Sequence, residues 1–149
     1  MPIVETITGS LLDADCPIAH QCNCVTKRAM GLSAQISKKW PWANVYGSLF
    51  KDKPRLPGTN RVIKKETVVV ICMFGQVNPG KPKKKPEDPD SAESRLTYFK
   101  MCLEDIDQNE FEKVAVPYGI GCGLAGGYWP DYEKALNECR TPIVLYKLG

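Results

Sequence analysis

Pro117-Tyr118-Gly119-Ile120-Gly121-Cys122-Gly123-Leu124-Ala125-Gly126-Gly127 is the stretch on which the fold turns. Five glycines between Gly119 and Gly127 are too many for a simple turn. Before it, Val114-Ala115-Val116 reads as an apolar strand. After it, a helix opens near Pro130, with Tyr132, Leu136 and Cys139 on its buried face. The stretch is therefore a strand-to-helix junction. At such a junction the free N–H groups and positive dipole end of the helix favour an anion, and glycine lets the backbone come close to it. The spacing Gly121-x-Gly123-x-x-Gly126 also matches the dinucleotide fingerprint, a weak signal by itself. That fingerprint belongs after the first strand, with an acid about 20 residues later. Here it precedes the last strand, and Pro142–Lys147 holds no acid, so a nicotinamide or flavin site is disfavoured. The plain alternative is a tight turn packed on a helix.

Strands and helices alternate on either side of this junction. Ile3–Thr8 reads as a strand ending at Gly9, and Pro17–Asn23 as a second, followed by a polar loop from Cys24 to Met30. Leu32, Ile36, Trp40 and Ala43 recur at helical spacing, so a helix begins near Gly31 and is interrupted at Pro41. A second short helix is expected there, with Val45, Tyr46 and Leu49 facing inward. Arg61–Lys65 and Val68–Phe74 read as strands, the latter apolar throughout and so placed inside a covered sheet. Asn78–Asp90, rich in Pro and Lys, is expected to be an exposed loop. A helix follows, with Asp90 and Glu93 as a capping box and Leu96, Phe99, Leu103 and Ile106 as its apolar stripe. Ile143–Tyr146 closes the chain. The alternation predicts an α/β fold with a mixed or parallel sheet covered on both faces, in a single domain over residues 1–149.

The 149 residues suit one core, and the 43% apolar and 25% charged shares are ordinary for a globular chain. No apolar run reaches the roughly 20 residues of a membrane span, and the start of the chain lacks signal-peptide character. Seven irregularly spaced cysteines do not make a disulfide framework, so a reducing cytoplasm or nucleus is expected. Cys22-x-Cys24 has no second pair at metal-ligand spacing, and no metal site is expected. A net charge of +3 does not call for nucleic acid. The run Lys81-Pro82-Lys83-Lys84-Lys85 has a bland reading as a solvated loop, balanced by Glu87, Asp88 and Asp90, and a sharper one as a polyanion contact.

The glycine stretch with Trp129 resembles the phosphate loop of the macrodomain family. The similarity is to the branch that includes the terminal ADP-ribose protein glycohydrolase and many phage, viral and bacterial relatives. His20-Gln21-Cys22-Asn23-Cys24-Val25, then Met30-Gly31-Leu32-Ser33 and a helix, resembles the first loop of that branch. The element order agrees, so the resemblance covers nearly the whole chain. It implies a three-layer α/β/α sandwich with a largely parallel central sheet, and a small-molecule ligand, ADP-ribose or a derivative. No cofactor and no membrane are implied, a monomer is the default, and a phage or viral source fits. By the same resemblance Asn23 holds the distal ribose, and the backbone around Met30, Gly31 and Ser33 closes on the ribose and phosphate. Gly119, Gly121, Cys122, Gly123, Leu124, Ala125 and Gly126 wrap the diphosphate. Tyr118 lines the cleft, and Trp129 either contacts the ligand or packs behind it.

The pattern departs from the family at three places. Ser10, with Leu11 beside it, stands where an acid often receives the adenine amino group; Asp13 is a substitute. Gln76 and Ala125 stand at the lysine and aspartate of the glycohydrolase branch, and neither supplies an amine nucleophile or a carboxylate base. His20, the sole histidine, is a candidate acid or base beside Asn23, although strand alternation sets the two on opposite faces. Cys122, near a helix start, has a setting that can lower a thiol pKa, but no sequence-adjacent base supports a nucleophile and the resemblance implies a packing role. Two functions remain: a hydrolase of ADP-ribose derivatives, acting on a 1″-phosphate or a protein linkage, and a non-catalytic ADP-ribose-binding module. The missing dyad favours the binder and a stand-alone domain favours the enzyme; the reading leans slightly to the hydrolase.

Overall fold

A computed structural model describes residues 2–149. Six strands form one sheet: β1 (Ile3–Thr8), β2 (Ile18–Cys22), β3 (Asn60–Lys65), β4 (Val68–Phe74), β5 (Val114–Pro117) and β6 (Ile143–Lys147). Their spatial order is β1-β6-β5-β2-β4-β3. All neighbours run parallel except the edge strand β3, which is antiparallel to β4. The helices are α1 (Leu32–Lys39), α2 (Ala92–Gln108) and α3 (Trp129–Glu138).

The period-two geometry of a strand divides the core between two layers. On β4, Ile71 and Met73 join α2 and α3, packing with Phe99, Leu103, Tyr132 and Leu136. Val70, Cys72 and Phe74 point the other way, toward Ile36 of α1 and the segment that holds Ala43, Val45 and Tyr46. Both faces are thus apolar, which explains the unbroken run Val68–Phe74 and gives the expected α/β/α layering. A Phe99–Tyr132 aromatic pair, 4.7 Å between centroids, ties α2 to α3. No helix among the described residues is long and apolar enough to cross a membrane.

Three local expectations change. The helix expected after Pro41 is two separate 3-10 turns, Pro41–Ala43 and Ser48–Phe50; Val45 and Tyr46 are buried as expected, but Leu49 is 69% exposed. Gly47 begins the second turn from an extended conformation, so no continuous helical face carries Leu49 inward. The cap of α2 is Ser91, whose hydroxyl accepts from the Ser94 N–H at 3.0 Å.

Asp90 has a different role. It is buried and pairs with buried Arg95 at 2.8 Å, and its carboxylate also accepts from the N–H groups of Val77 (2.7 Å) and Asn78 (3.1 Å). Arg95 spends its remaining donors on the carbonyls of Asn78, Gly80, Lys81 and Ala125. One side-chain pair therefore fastens the loop after β4 to α2 and to the glycine stretch. The lysine run between them stays exposed, as in its bland reading.

Replacing Arg95 by Met strands a buried carboxylate, and breaking such a pair costs about 3–5 kcal/mol. Urea unfolding is expected to show that loss as a lower midpoint; a change below about 1 kcal/mol would mean the loop is held by something else. Burial works against ionised Asp90, but the Arg95 hydrogen bond and the two backbone N–H groups outweigh it and hold its pKa below the ordinary value. A depressed folded pKa stabilises the fold above the unfolded value of about 4, and that stability is lost as pH falls through the folded value. Asp90→Asn is accordingly expected to be less stable at neutral pH and to show a flatter acid limb below about pH 4.

Candidate functional site

The parallel strands β2, β4 and β5 end on the same side of the sheet, and a cleft of about 390 Å³ opens there. Its volume lies within the range of about 300–1,000 Å³ usual for small-ligand sites. One wall is the glycine stretch after β5. The opposite wall is the loop after β2 and the start of α1. His20, Gln21, Tyr46 and Gln76 lie between them.

The glycine wall is built from backbone. Ile120 and Cys122 direct their N–H groups to the carbonyls of Pro117 and Gly119, and Gly126 and Gly127 theirs to Gly123 and Gly121. The N–H groups of Gly121, Gly123, Leu124 and Ala125 have no partner among the described residues. Gly121 has φ +76°, and a Cβ there would lie 2.7 Å from the Tyr132 ring. A Cβ on Gly127 would meet the Gly121 carbonyl oxygen at 2.5 Å. Gly123, by contrast, faces open space. Across the cleft α1 opens without a side-chain cap, so the N–H groups of Leu32 and Ser33 are also unpaired. Two sets of free donors face one volume, and Arg28 is the one cation among its lining residues, with no carboxylate.

Asn23 is held from three directions. Its N–H donates to the Tyr46 hydroxyl at 2.9 Å, and its carbonyl accepts from Arg55 at 3.4 Å. Its side-chain oxygen accepts from the N–H groups of Val25 and Thr26 and from the Thr26 hydroxyl. The amide nitrogen alone keeps its donors free at the cleft. His20 and Asn23 both line the cleft, against the expectation of opposite faces, because β2 ends at Cys22 and alternation stops there. His20 is buried, with Nδ1 3.1 Å from Ser33 Oγ and the sulfurs of Cys22 and Cys72 at 3.5–3.7 Å from its ring nitrogens. No ring nitrogen remains for proton transfer in the cleft, so His20 is removed as a catalytic candidate.

Gln76, at the place of the family's lysine, is buried. It accepts from Gln21 Nε2 at 2.7 Å and donates to the Asn78 carbonyl at 2.8 Å. This pair leaves Gln21 Oε1 as a buried acceptor with no partner, close to Gly121. An unpartnered buried acceptor costs about 1–3 kcal/mol, so the floor favours a ligand that brings a donor.

Met30, Gly31, Ser33, Tyr118, Gly119, Gly121, Gly123, Leu124 and Ala125 line the cleft as expected. Ser10, Leu11, Cys122, Gly126 and Trp129 do not. Ser10 caps a 3-10 turn by accepting from the Leu12 N–H, and that turn buries Leu11 in the core beside α1. Trp129 packs behind Tyr118, with ring centroids 4.8 Å apart. Gly126 lies against the Lys81 stem. The Cys122 thiol is not activated: burial, helped by the Asp131 charge, pushes its pKa up to about 11. Sequence reading missed Gln21, Tyr46 and Arg28. Gln21 and Arg28 sit inside the quoted first-loop region; Tyr46 reaches the cleft from a segment that carried only an apolar signal.

No family model and no curated protein matches the sequence. Solved structures do. A protein from Bacteroides thetaiotaomicron superposes with a TM-score of 0.79 at 23% identity, over 97% of this chain and 99% of that one. The macrodomain of Mycobacterium tuberculosis DarG gives 0.69 at 23% identity, over 95% and 96%. Thermosipho africanus DarTG, solved in complex with ADP-ribose, gives 0.69 at 17% identity, over 95% of this chain and 40% of that one. With the sheet order, the three layers and the cleft at the strand ends, these likenesses show that the chain has the macrodomain fold.

Proposed function

We propose that the cleft binds ADP-ribose or a close derivative, with the diphosphate on the free N–H groups and the distal ribose at Asn23. The observation that carries this reading is the facing of two unpaired donor sets, Gly121–Ala125 and the start of α1, across a volume with one cation and no acid. Backbone donors at a helix start and in a glycine loop suit a diphosphate's spread charge. The free Asn23 amide and the unpartnered Gln21 oxygen supply a donor and an acceptor for ribose hydroxyls. Met30, 71% exposed, and Leu124, 84% exposed, stand on opposite rims as apolar surface for a ligand to cover. The likeness to the ADP-ribose complex of Thermosipho africanus DarTG supports the ligand class.

Binding is favoured over hydrolysis, toward which the sequence leaned. The cleft has no lysine or carboxylate among its lining residues, and the His20 nitrogens are occupied. Any turnover would rest on positioning a water beside Asn23, without general acid–base assistance.

Calorimetric titration of the full chain is expected to show ADP-ribose binding on the order of micromolar, about −8 kcal/mol, with weaker AMP and NAD. Gly123→Glu, which has open space for its side chain, is expected to keep its stability and lose about 100-fold or more in affinity, ~3 kcal/mol. Normal binding by a folded Gly123→Glu protein would remove the diphosphate from this wall. Asn23→Ala is expected to cost about tenfold, one net hydrogen bond, for ADP-ribose and little for AMP. Phosphate release from ADP-ribose 1″-phosphate is expected to stay at the uncatalysed rate. Turnover that disappears in Asn23→Ala would overturn the binder reading in favour of a hydrolase.

A further inference from the structure

The strands that place Asn23 also gather three donor groups that the ligand reading does not use. His20 and Cys72 are direct register partners on β2 and β4, and Cys22 lies two residues further along β2 on the same face. All three are buried, and their donor atoms lie within 4.8 Å of one another. His20 Nε2 is 3.5 Å from Cys72 Sγ and 3.7 Å from Cys22 Sγ.

We infer that His20, Cys22 and Cys72 form a binding site for a soft divalent ion of the zinc class. A tetrahedral zinc centre with Zn–S about 2.3 Å and Zn–N about 2.0–2.1 Å has S···N edges of about 3.6 Å, close to the 3.5 Å between Cys72 Sγ and His20 Nε2. The second ring nitrogen is placed as a ligating imidazole needs. Nδ1 lies 3.1 Å from Ser33 Oγ, so Nδ1–H donates to the hydroxyl and Nε2 keeps its lone pair for the ion. Cys22 Sγ is 3.7 Å from both ring nitrogens, so a small rotation of its thiol moves it to the Nε2 side. Two cysteines and a histidine are a soft donor set that suits zinc over magnesium or calcium.

Charge balance fits the buried setting. Binding displaces one proton from each thiol to solvent, and two thiolates, a neutral imidazole and a dication sum to zero net charge. Tyr46 packs in the same buried cluster as Cys22 and Cys72. His20 alone of the three also lines the cleft. The effect of the ion would be to pin the ends of β2 and β4 immediately before Asn23. Cys24 takes no part in the group, whose third member, Cys72, comes from another strand.

The test uses the full chain, purified reduced, with metal content measured, then stripped by chelator and titrated with Co²⁺. About one ion per chain is expected, with a sulfur-to-cobalt charge-transfer absorption that Zn²⁺ abolishes. Cys72→Ser and Cys22→Ser are expected to lose the absorption, and Cys24→Ser and Cys122→Ser to keep it, with circular dichroism reporting the fold of each. Absence of the absorption in the wild-type chain overturns the inference without recourse to any variant. Loss in Cys24→Ser with retention in Cys72→Ser would overturn this ligand set. ADP-ribose affinity is a separate readout, so the failure of either proposal leaves the other standing.

Discussion

Arg95 and Asp90 are the constraint on which the functional end of the molecule depends. A charge pair inside a protein is tolerable only when every remaining lone pair and proton is satisfied. Here that requirement is met by the Asn78 side-chain amide and by backbone groups from three segments: the turn after β4, the lysine-bearing loop and the glycine stretch at Ala125. The demand for satisfaction thus becomes a positional device. Loops that burial alone would leave loose are fixed by the carbonyls and N–H groups they give to this pair. Because Arg95 closes the first turn of α2, whose Phe99 and Leu103 anchor it to the sheet, the core's rigidity is passed on to the cleft wall.

The cleft itself is made by withholding partners. Along the glycine stretch, four N–H groups turn inward to close the loop on itself, and those of Gly121, Gly123, Leu124 and Ala125 are left facing outward. Tyr132 sets how tight that loop can be, since the ring fills the space a Cβ on Gly121 or Gly127 would occupy. Tyr132 also packs on Phe99, so the glycine wall and the apolar core are two sides of the same contact.

Much of this was legible in the sequence for simple reasons. Alternation of apolar strands and helices, the glycine run and Asn23 all depend on local pattern, and the expected bounds of β1, β4 and β6 lie within a residue of those found. What escaped depends on distance in space. Asp90 read as a cap because a carboxylate three residues ahead of Glu93 satisfies the local rule, yet its partner Arg95 sits five residues on with no helical reason to be inside. The His20, Cys22 and Cys72 group joins residues 52 apart through strand register, which a spacing rule for consecutive ligands does not address. Ser10 and Leu11 were expected at the ligand because they follow β1; a 3-10 turn there sends Leu11 into the core.

The amide pair Gln21–Gln76 bears on what the cleft can do. Where the glycohydrolase branch sets a charged amine against a carboxylate, this chain has two neutral amides and an alanine methyl. A lysine buried at residue 76 would need an anionic partner to stay charged, and Ala125 offers none. The neutral pair removes that electrostatic demand: Gln76 accepts from Gln21 and donates to the Asn78 carbonyl, itself held by Arg95, while Gln21 Oε1 stays without a partner. What the cleft offers a ligand is therefore a set of backbone donors from two walls and one unpartnered side-chain acceptor on its floor.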